Sequence, residues 1–522
     1  MTEVESGLSI PAHWSRVKLG QLIEKKTDKV EPSSVEDLPY LGLKHIAQGT
    51  GKLAGKGNAE EVSSTKNLFE EGDVLYGKLR PYLNKVWQAS FDGICSTDIL
   101  VFRTADQLIP AFLHYRLLCS DFVAYADQNS SGVNHPRVGF KEVSEYPIGL
   151  PPLSEQRRIV AKIEELFSNL DAGRSDLQTA GQQLERYRLS VLQAAVEGRL
   201  TADWRRTHDS EPADRLLEQV LKEHRKQWEA EYRYRRYDAK DKEPPSGWKS
   251  RYTPPEHLED EADLFSIPED WEWVRAEQIC GFITKGTTPK SDKRYSGEGD
   301  IPFVKVYNLT ETGELDFTVD PTFVDCETHR GKLARSRLLP GDVVMNIVGP
   351  PLGQVSVVPD DYPEWNMNQA VVRYRPLDGV DRQYLTYALR AKSILNWAIR
   401  KRKATAGQFN LTLAICRDLP IPLPPLAEQK QIVDEVERLL SVADDTADTA
   451  KREETRAKRL RQSILKQAFS GRLVPHDENA SPPSIDGTAS EPSGSEAAGG
   501  TDSDIEDLLG STDPSKQIEM DL

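Results

Sequence analysis

The sequence predicts an α+β chain built from two similar halves, each a globular unit followed by a long helix. The main observation is an internal repeat: PIGLPPLSEQRRIV from Pro147 recurs as PIPLPPLAEQKQIV from Pro420, identical at ten of fourteen positions. The same spacing aligns RLSVLQAAVEGRL from Arg188 with RQSILKQAFSGRL from Arg461. Self-similarity at a fixed spacing indicates duplicated structural elements, so we predict a pseudo-two-fold internal repeat.

Each repeated segment is predicted to be a long helix. Residues 154–197 contain no proline, and at 1.5 Å per residue they would form a rod of about 65 Å. Gly198 and Gly471 stand where helix C-caps belong. Apolar residues follow a heptad frame, so we expect the helices to bury their seams against each other as a coiled coil. The alternative is that each helix packs on its own globular unit. The seam positions are Ile159, Ile163, Leu166, Leu170, Leu177, Leu184, Tyr187 and Val191 in the first helix and Ile432, Val436, Leu439, Ala443, Ala450, Leu460 and Ile464 in the second.

Short apolar runs bounded by Gly, Pro and Asp predict strands in both globular units. These runs are 73–76, 99–102, 343–347, 355–358 and 370–374. We therefore divide the chain into a globular unit at 1–153, a helix at 154–198, a polar connector at 199–262, a globular unit at 263–426, a helix at 427–473 and an acidic tail at 474–522. The tail is rich in Ser, Gly, Glu and Asp and is predicted to be disordered.

The charge of the chain leaves nucleic acid open as a partner. The 522 residues carry a net charge of −16, from 67 Lys and Arg against 83 Asp and Glu. Residues 476–522 hold twelve acids and Lys516, a net of −11, which leaves −5 for residues 1–475. A mildly acidic body can still carry a local basic surface. The interleaved Arg and Tyr residues of the connector are one such candidate, although we favour a solvated helix face there.

The cysteines and the N-terminus favour a soluble, cytoplasmic protein. Five cysteines without a CxxC pair argue against a disulfide framework or a thiolate zinc site. The N-terminal MTEVESGLSIPAHW lacks the basic start and apolar core of a signal peptide, and we expect none. No run approaches the roughly 18 apolar residues of a membrane span.

Motif searches favour a non-catalytic chain. GTGKLAGKGN from Gly49 fails the spacing of a phosphate-binding loop, and no HExxH, GxSxG or dinucleotide fingerprint occurs. Methyltransferases of exocyclic amines carry Asn/Asp-Pro-Pro-aromatic, whereas Pro-Pro pairs here stand in LPPL and GPPL. The nine histidines are scattered, so we predict no metal site. We expect no catalytic residues in this chain.

The duplicated helices identify a family resemblance. Two variable units, each followed by a near-identical helix headed by LPPLxEQ and closed by GRL at Gly198 and Gly471, resemble the specificity subunit of a type I restriction-modification system. The openings PAHWSRVKLGQL and PEDWEWVRAEQICGFITKGTTP are similar to the start of a target recognition domain. The resemblance covers residues 10 to about 475 and does not explain the acidic tail.

The resemblance implies a division of labour. Each globular unit would be an α/β target recognition domain that reads one half of a split double-stranded DNA sequence. The helices would form an antiparallel coiled-coil spacer and a docking region. Two modification subunits, with S-adenosylmethionine, and restriction subunits, with ATP and Mg²⁺, would assemble on a chain that holds no cofactor itself. The rivals are a coiled-coil adaptor without DNA contact and an enzyme with an overlooked motif.

Candidate DNA contacts are polar and basic side chains on loops, because such groups reach phosphates and base edges. In the first globular unit the loops are LKHIAQG, GKLRPYLNK and SSGVNHPRVGF. Their candidates are Lys44, Lys78, Arg80, Tyr82, Asn84, Lys85, Ser131, Asn134, His135 and Arg137. The alternative for each loop is a plain solvated turn.

The second globular unit offers parallel candidates in TKGTTPKSDKRY, in the uncharged stretch 346–354 and around TAGQFNLTLAI. They are Lys285, Thr287, Thr288, Lys290, Arg294, Asn346, Arg400, Lys401, Arg402, Lys403, Thr405, Gln408 and Asn410, with Asn308 and Gln369 as secondary candidates. The basic run 400–403 suits phosphate contact.

The duplicated helix heads are candidates for contact with modification subunits. The residues are Glu155, Gln156, Arg157, Glu428, Gln429 and Lys430. Helix capping by a Glu that the helix dipole favours is the alternative, and the sequence does not choose between the two.

Overall fold

The computed structural model describes residues 10–238, 241–258, 264–401 and 410–476. The described residues form two compact units, the first within Met1–Leu177 and Lys451–Leu522, the second within Gln178–Ala450. Each unit therefore contains one globular part and portions of both long helices. The acidic tail beyond residue 476, and the candidates Arg402, Lys403, Thr405 and Gln408, lie outside the described residues.

The first globular part combines strands and short helices. Its elements are β1 Ser15–Lys18, β2 Ile23–Lys25, β3 Lys29–Val30, β4 Pro39–Leu41, β5 Gly57–Asn58, β6 Lys66–Phe69, β7 Val74–Gly77, β8 Val86–Gln88, β9 Gly93–Cys95, β10 Ile99–Thr104, α1 Pro110–Leu117, α2 Ser120–Gln128, α3 Phe140–Ser144 and β11 Pro147–Leu150. The sheets have the orders β2-β10-β7-β8 and β3-β6-β9-β4-β5, and β1 pairs with β11. The β4–β9 pair is parallel.

The first long helix and the connector follow. They comprise α4 Leu153–Val196, α5 Ala202–Thr207 and α6 Ala213–Arg236. The connector is better packed than its polar composition suggests. Leu216 and Val220 of α6 join the main core of the second unit. Further along, Tyr232 stacks on Trp248 with ring centroids 6.0 Å apart.

The second globular part repeats most of the topology of the first, with the outer strand of the five-stranded sheet at the opposite edge. Its elements are β12 Glu272–Arg275, α7 Ala276–Ile279, β13 Thr284–Lys285, β14 Tyr295–Ser296, β15 Ile301–Val304, β16 Thr322–Val324, α8 Cys326–Arg330, β17 Arg337–Leu338, β18 Val343–Asn346, β19 Val355–Val357, β20 Trp365–Met367, β21 Val371–Tyr374, α9 Arg382–Arg390, α10 Lys392–Lys401, α11 Leu413–Arg417 and β22 Pro420–Leu423, followed by α12 Leu426–Phe469. The sheet orders are β13-β21-β18-β19 and β14-β16-β15-β20-β17, and β12 pairs with β22. The β15–β20 pair is again parallel, which confirms the predicted internal repeat.

The predicted strands form the centre of each unit because both of their faces are buried. In β10, Leu100 and Phe102 belong to one core, whereas Ile99 and Val101 belong to another. Successive side chains of a strand point to opposite faces, so a continuous apolar run fills both. β18 and β21 do the same in the second unit, where Val344 lies in a different core from its neighbours in sequence.

Both long helices span 44 residues and end in the same way. Gly198 has a φ of 69° and Gly471 a φ of 72°. The N–H of Arg199 donates to Ala194 O, and Arg472 N–H donates to Gln467 O. These bonds are the 6→1 bonds of a Schellman cap, which needs a left-handed residue at C′. The predicted C-cap glycines are therefore confirmed.

The two long helices pair in both units, and the contacts of the first unit show that they run antiparallel. In the first unit, Arg461 pairs with Asp171 at 3.1 Å and Arg174 lies 3.5 Å from Glu454, so rising numbers on α4 meet falling numbers on α12. In the second unit, Arg188 of α4 pairs with Asp444 of α12. The predicted antiparallel pairing is confirmed, together with packing on the globular parts: helix residues such as Ile163 and Ile464 share one core with strands of the first unit.

The seam is buried at its ends and half-buried in between, at Leu177, Leu184 and Ala450. Ile159 and Ile432 are fully buried. The prediction for Tyr187 is wrong, because this side chain is 40% exposed. Among the described residues, no helix combines the length and apolar character needed to cross a membrane.

Phe469, in the last turn of α12, should contribute strongly to the stability of the first unit. Its buried ring packs on Phe112 with centroids 5.0 Å apart. Phe469→Ala should lower the free energy of unfolding by about 3–5 kcal/mol, because it leaves a cavity. Urea denaturation of the full chain measures the effect. Val442→Ala, at a 60% exposed position of the same helix, is the control, and equal losses in both variants would contradict the assignment.

Candidate nucleic-acid interface

Two loops that were predicted separately from the sequence lie side by side in the first unit. Arg80 N–H donates to Pro136 O at 2.7 Å, and Val138 N–H donates to Lys78 O at 3.1 Å. Leu79 and Arg137 form an isolated antiparallel bridge. The structure thus joins 78–82 and 131–137 into one polar surface, which we call the paired loops.

A carboxylate that sequence reasoning missed organises the cations of the paired loops. Arg137 Nε donates to Asp98 Oδ1 at 3.0 Å, and Lys78 Nζ lies 3.8 Å from the same oxygen. The hydrogen bond to Asp98 raises the pKa of Arg137. Asp98 follows a buried strand without any distinguishing motif, so only the folded structure reveals its role. It holds two exposed or half-exposed basic side chains in defined positions.

The turn between β7 and β8 separates exposed side chains from buried ones. Arg80 and Asn84 both have left-handed φ values, 54° and 43°, and flank the single 3-10 turn Pro81–Leu83. Arg80 is exposed and Tyr82 is 48% exposed. Asn84 instead is buried and its Nδ2 donates to Leu118 O at 3.3 Å. This placement corrects the candidate role of Asn84, which stabilises the turn.

Lys85 is half-buried and is bonded within the first unit. Its Nζ donates to Leu43 O at 2.5 Å, and burial lowers the pKa of the ammonium. Lys44, on the neighbouring 3-10 turn Leu43–His45, is exposed and accessible. Lys44 therefore remains a candidate DNA contact. Lys85 instead links two turns of the first unit through its bond to Leu43 O.

The 131–137 loop is a small hairpin with an exposed tip. Ser131 and Arg137 exchange backbone hydrogen bonds of 2.9 and 2.8 Å. Asn134 and His135 are exposed, and Val133, which sequence reasoning did not select, is 99% exposed. An apolar side chain among polar ones on such a tip is suited to contact a thymine methyl group.

The second unit has the same juxtaposition with different side chains. Val348 bridges Asn410, and Leu411 N–H donates to Ile347 O at 2.8 Å. Asn410 is exposed. Asn346 is fully buried, with Oδ1 accepting from Val348 N–H at 3.0 Å and Nδ2 donating to Pro351 O. The candidate role of Asn346 is therefore corrected to a structural one.

The remaining candidates of the second unit fall into surface and interior positions. Lys285, Lys290, Gln369, Arg400 and Lys401 are exposed, whereas Thr287, Thr288 and Arg294 are half-buried. Gly286 packs so closely that a Cβ would stand 2.0 Å from Asn368 O, which fixes this loop beside Gln369. Asn308 is buried and bonds Asp316 O and Val319 O, so it too serves a turn.

The duplicated Glu residues at the helix heads are buried inside their own units. Both Glu155 and Glu428 have no exposed surface. Glu428 accepts from Trp271 Nε1 at 2.8 Å and Thr201 Oγ1 at 2.7 Å and pairs with Arg205. These buried side chains are not available to a partner, whereas their place in the first turn of each helix agrees with the alternative of a Glu that the helix dipole favours.

The adjacent glutamines are equally internal. Gln156 accepts from Ile109 N–H at 2.9 Å, and Gln429 accepts from Asp381 N–H at 2.7 Å. Ile109 and Asp381 are the N-cap residues of α1 and α9, so each glutamine ties a long helix to the same element of its globular part. Of the six helix-head candidates, Arg157 and Lys430 are exposed.

Comparison with known proteins decides the family. Residues 11–178 and 268–454 match the family described as Type I restriction modification DNA specificity domain. The chain belongs to this family. The prediction of a specificity subunit, the DNA-recognising and non-catalytic component of such a system, is confirmed by this membership and by the curated relatives.

The relatives match this chain over different lengths. The EcoBI specificity subunit of Escherichia coli is 25% identical over 498 residues, which cover 92% of this chain and 90% of that one. The EcoDI specificity subunit of Escherichia coli is 34% identical over 199 residues, which cover 38% of this chain and 44% of that one. This chain therefore spans less than half the length of the EcoDI subunit in that match.

A solved structure shares the fold. It comes from work on complex assembly and conformational transition of the type I R-M system, and it superposes with a TM-score of 0.62 at 22% identity. The match covers 89% of this chain and 99% of the other. The predicted fold class, two mixed α and β domains joined by two long helices, is thereby confirmed.

Arg205 should be needed to keep the second unit folded, since it compensates the buried Glu428. Arg205→Ala should lower the free energy of unfolding by about 3 kcal/mol, because it leaves a buried carboxylate without its cation. Denaturant unfolding of the full chain followed by circular dichroism measures this. Arg206→Ala, next along the chain and 75% exposed, should stay within about 0.5 kcal/mol of the wild type. A similar stability of the two variants would show that Glu428 does not require Arg205.

Proposed function

We propose that each globular part reads one half of a split DNA target, and that the chain delivers partner enzymes to it. The observation that carries the proposal is the repeated pairing of two loops on one backbone plan with unlike side chains. The first unit presents Lys78, Arg80 and Arg137 there. The second presents an uncharged stretch beside Asn410. Two globular parts with the same backbone arrangement and different surface side chains would recognise two different half-sites.

In the proposed first half-site, basic groups divide into positioning and reading roles. Lys44, Lys78 and Arg137 are placed to contact phosphates, which fixes the register of the protein on the duplex. Arg80, at the head of its turn, is the best candidate for a base edge, because a guanidinium can bond O6 and N7 of guanine together. Tyr82 and Ser131 are further candidates on the same surface.

In the proposed second half-site, Arg400 and Lys401 at the end of α10 supply phosphate contacts. Lys401 Nζ lies 5.6 Å from the centre of the Trp397 ring, a cation–π contact that restrains the lysine side chain. Lys285, Lys290 and Gln369, which are exposed at or near the loop fixed by Gly286, are further candidates of this half-site. Arg402, Lys403, Thr405 and Gln408, which lie outside the described residues, are also proposed to contact this half-site.

The helices are proposed to act as spacer and docking region. A 44-residue helix measures about 65 Å, enough to span half-sites placed about one DNA turn, 34–36 Å, apart. Arg157 and Lys430 are exposed at equivalent positions of the two helix heads. Two equivalent positions suit two modification subunits, and restriction subunits would join the assembly. S-adenosylmethionine, ATP and Mg²⁺ would be held by those partners, not by this chain.

We also propose a cytoplasmic location. The described structure holds its five cysteines as free thiols, four of them buried, as suits a reducing compartment. DNA and the partner subunits would be encountered there.

The rival interpretation, a coiled-coil adaptor without DNA contact, requires a chain that shows no salt-dependent affinity for DNA.

Exchange of the first globular unit should change half of the target. In a host that carries this gene with its neighbouring methyltransferase gene, methylome sequencing should find a split motif that is absent without the chain. Replacing residues 1–150 by the corresponding unit of a relative should alter one half of the motif and leave the other unchanged. Methylation of an unsplit motif, or methylation that persists without the chain, would refute the proposal.

Arg80→Ala should weaken recognition at the first half-site only. The variant should lose about 1–3 kcal/mol of binding to the specific duplex, with discrimination relaxed at one base pair. Fluorescence anisotropy of the assembled methyltransferase, with duplexes altered in either half-site, measures both effects. Arg206→Ala, which removes the same charge from the connector, is the control. A uniform loss over all duplexes would reassign Arg80 to phosphate contact.

A further inference from the structure

Three side chains from distant parts of the chain converge in the first unit. His13 Nε2 lies 2.9 Å from Glu155 Oε2, and His476 Nδ1 lies 3.0 Å from Glu155 Oε1. The potential ligand atoms all lie within 4.8 Å of one another. His13 precedes β1, Glu155 belongs to the first turn of α4, and His476 follows α12. Two of the nine scattered histidines therefore form a cluster with Glu155 that spacing alone could not reveal.

The cluster has a buried base and an open side. Glu155 has no exposed surface, whereas the side chains of His13 and His476 are 24% and 41% exposed. The two imidazole rings stand at 69° with centroids 4.7 Å apart. Both oxygens of a buried carboxylate thus face nitrogen atoms that lie between it and solvent.

The equivalent position in the second unit identifies what such a carboxylate requires. There Glu428, also fully buried, is paired with the guanidinium of Arg205. A buried carboxylate is strongly destabilising unless a positive charge compensates it. In the first unit the segment after the C-cap glycine contributes His476 instead of an arginine. A guanidinium supplies the compensating charge itself, whereas imidazoles can ligate a metal ion that supplies this charge.

We propose that His13, Glu155 and His476 bind a divalent transition-metal ion of the Zn²⁺ type. Two imidazole nitrogens and one carboxylate with a solvent-facing fourth position are a donor set that Zn²⁺ accepts, and imidazole selects against Mg²⁺ and Ca²⁺. Ligand atoms at about 2.0–2.1 Å from a tetrahedral ion lie about 3.3 Å apart, so three ligand atoms that already lie within 4.8 Å of one another need only a small approach to share one ion. The ion ties the residues before β1 and those after α12 to the head of α4.

Zn²⁺ titration of the untagged full chain tests the site. After removal of metal with a chelator, calorimetry should find one Zn²⁺ per chain, and Co²⁺ should give the visible absorption of a tetrahedral complex. His13→Ala and His476→Ala should each weaken Zn²⁺ binding at least about tenfold, because each removes one of three protein ligands. His257→Ala, an exposed histidine of the second unit, should bind Zn²⁺ like the wild type.

His476→Gln separates a metal site from a hydrogen-bonded cluster. Its amide can still donate to Glu155 but is a poor zinc ligand, so the variant should fold like the wild type and lose Zn²⁺. Bound Zn²⁺ should also raise the Tm of the wild type and not that of this variant. Zn²⁺ binding that survives substitution of either histidine, or an absence of stoichiometric binding to the wild type, would overturn the proposal.

Discussion

A buried Glu-Gln pair at the head of each long helix determines how the rest of each unit is arranged. The glutamate lies between the start of the globular part and the segment that follows the opposite helix, and the glutamine bonds the N-cap of the next short helix. A buried polar group that loses its partner is costly, so these bonds favour the observed arrangement of the three elements. The variable strands and loops are built outward from that fixed point.

The sequence predicted the repeat, the long helices and the central strands because these depend on local patterns. Continuous apolar runs such as 99–102 give strands that are buried on both faces, and Gly198 and Gly471 give helix ends. Such local patterns do not predict which polar side chains are buried. Asn84 and Asn346 look like surface amides in sequence, yet both are buried: Asn84 bonds Leu118 O at the end of α1, and Asn346 accepts from Val348 N–H in its own turn. Only tertiary structure separates a polar residue that reads DNA from one that shapes a loop.

The same limit affected the helix heads, where duplication suggested a shared partner. The identity of Glu155 and Glu428 instead reflects a shared internal role. What surrounds them differs, since Thr201, Arg205 and Trp271 encircle one carboxylate and two histidines the other. Repeated chains can thus keep a charge in place and exchange the groups that neutralise it. Residue identity between the halves marked architecture, and residue difference marked the surfaces proposed to read DNA.

Asp98 has a consequence for how a reader would search a genome. It cancels one of the two positive charges that Lys78 and Arg137 bring to the paired loops. Affinity for arbitrary sequence grows with the number of phosphates neutralised, so a surface that carries its own carboxylate dwells for a shorter time on each wrong site. Because wrong sites outnumber right ones by many orders of magnitude, it is the ratio of the two affinities that matters. A carboxylate among basic side chains thus lowers the affinity for arbitrary DNA sequences and speeds the exchange from one site to the next.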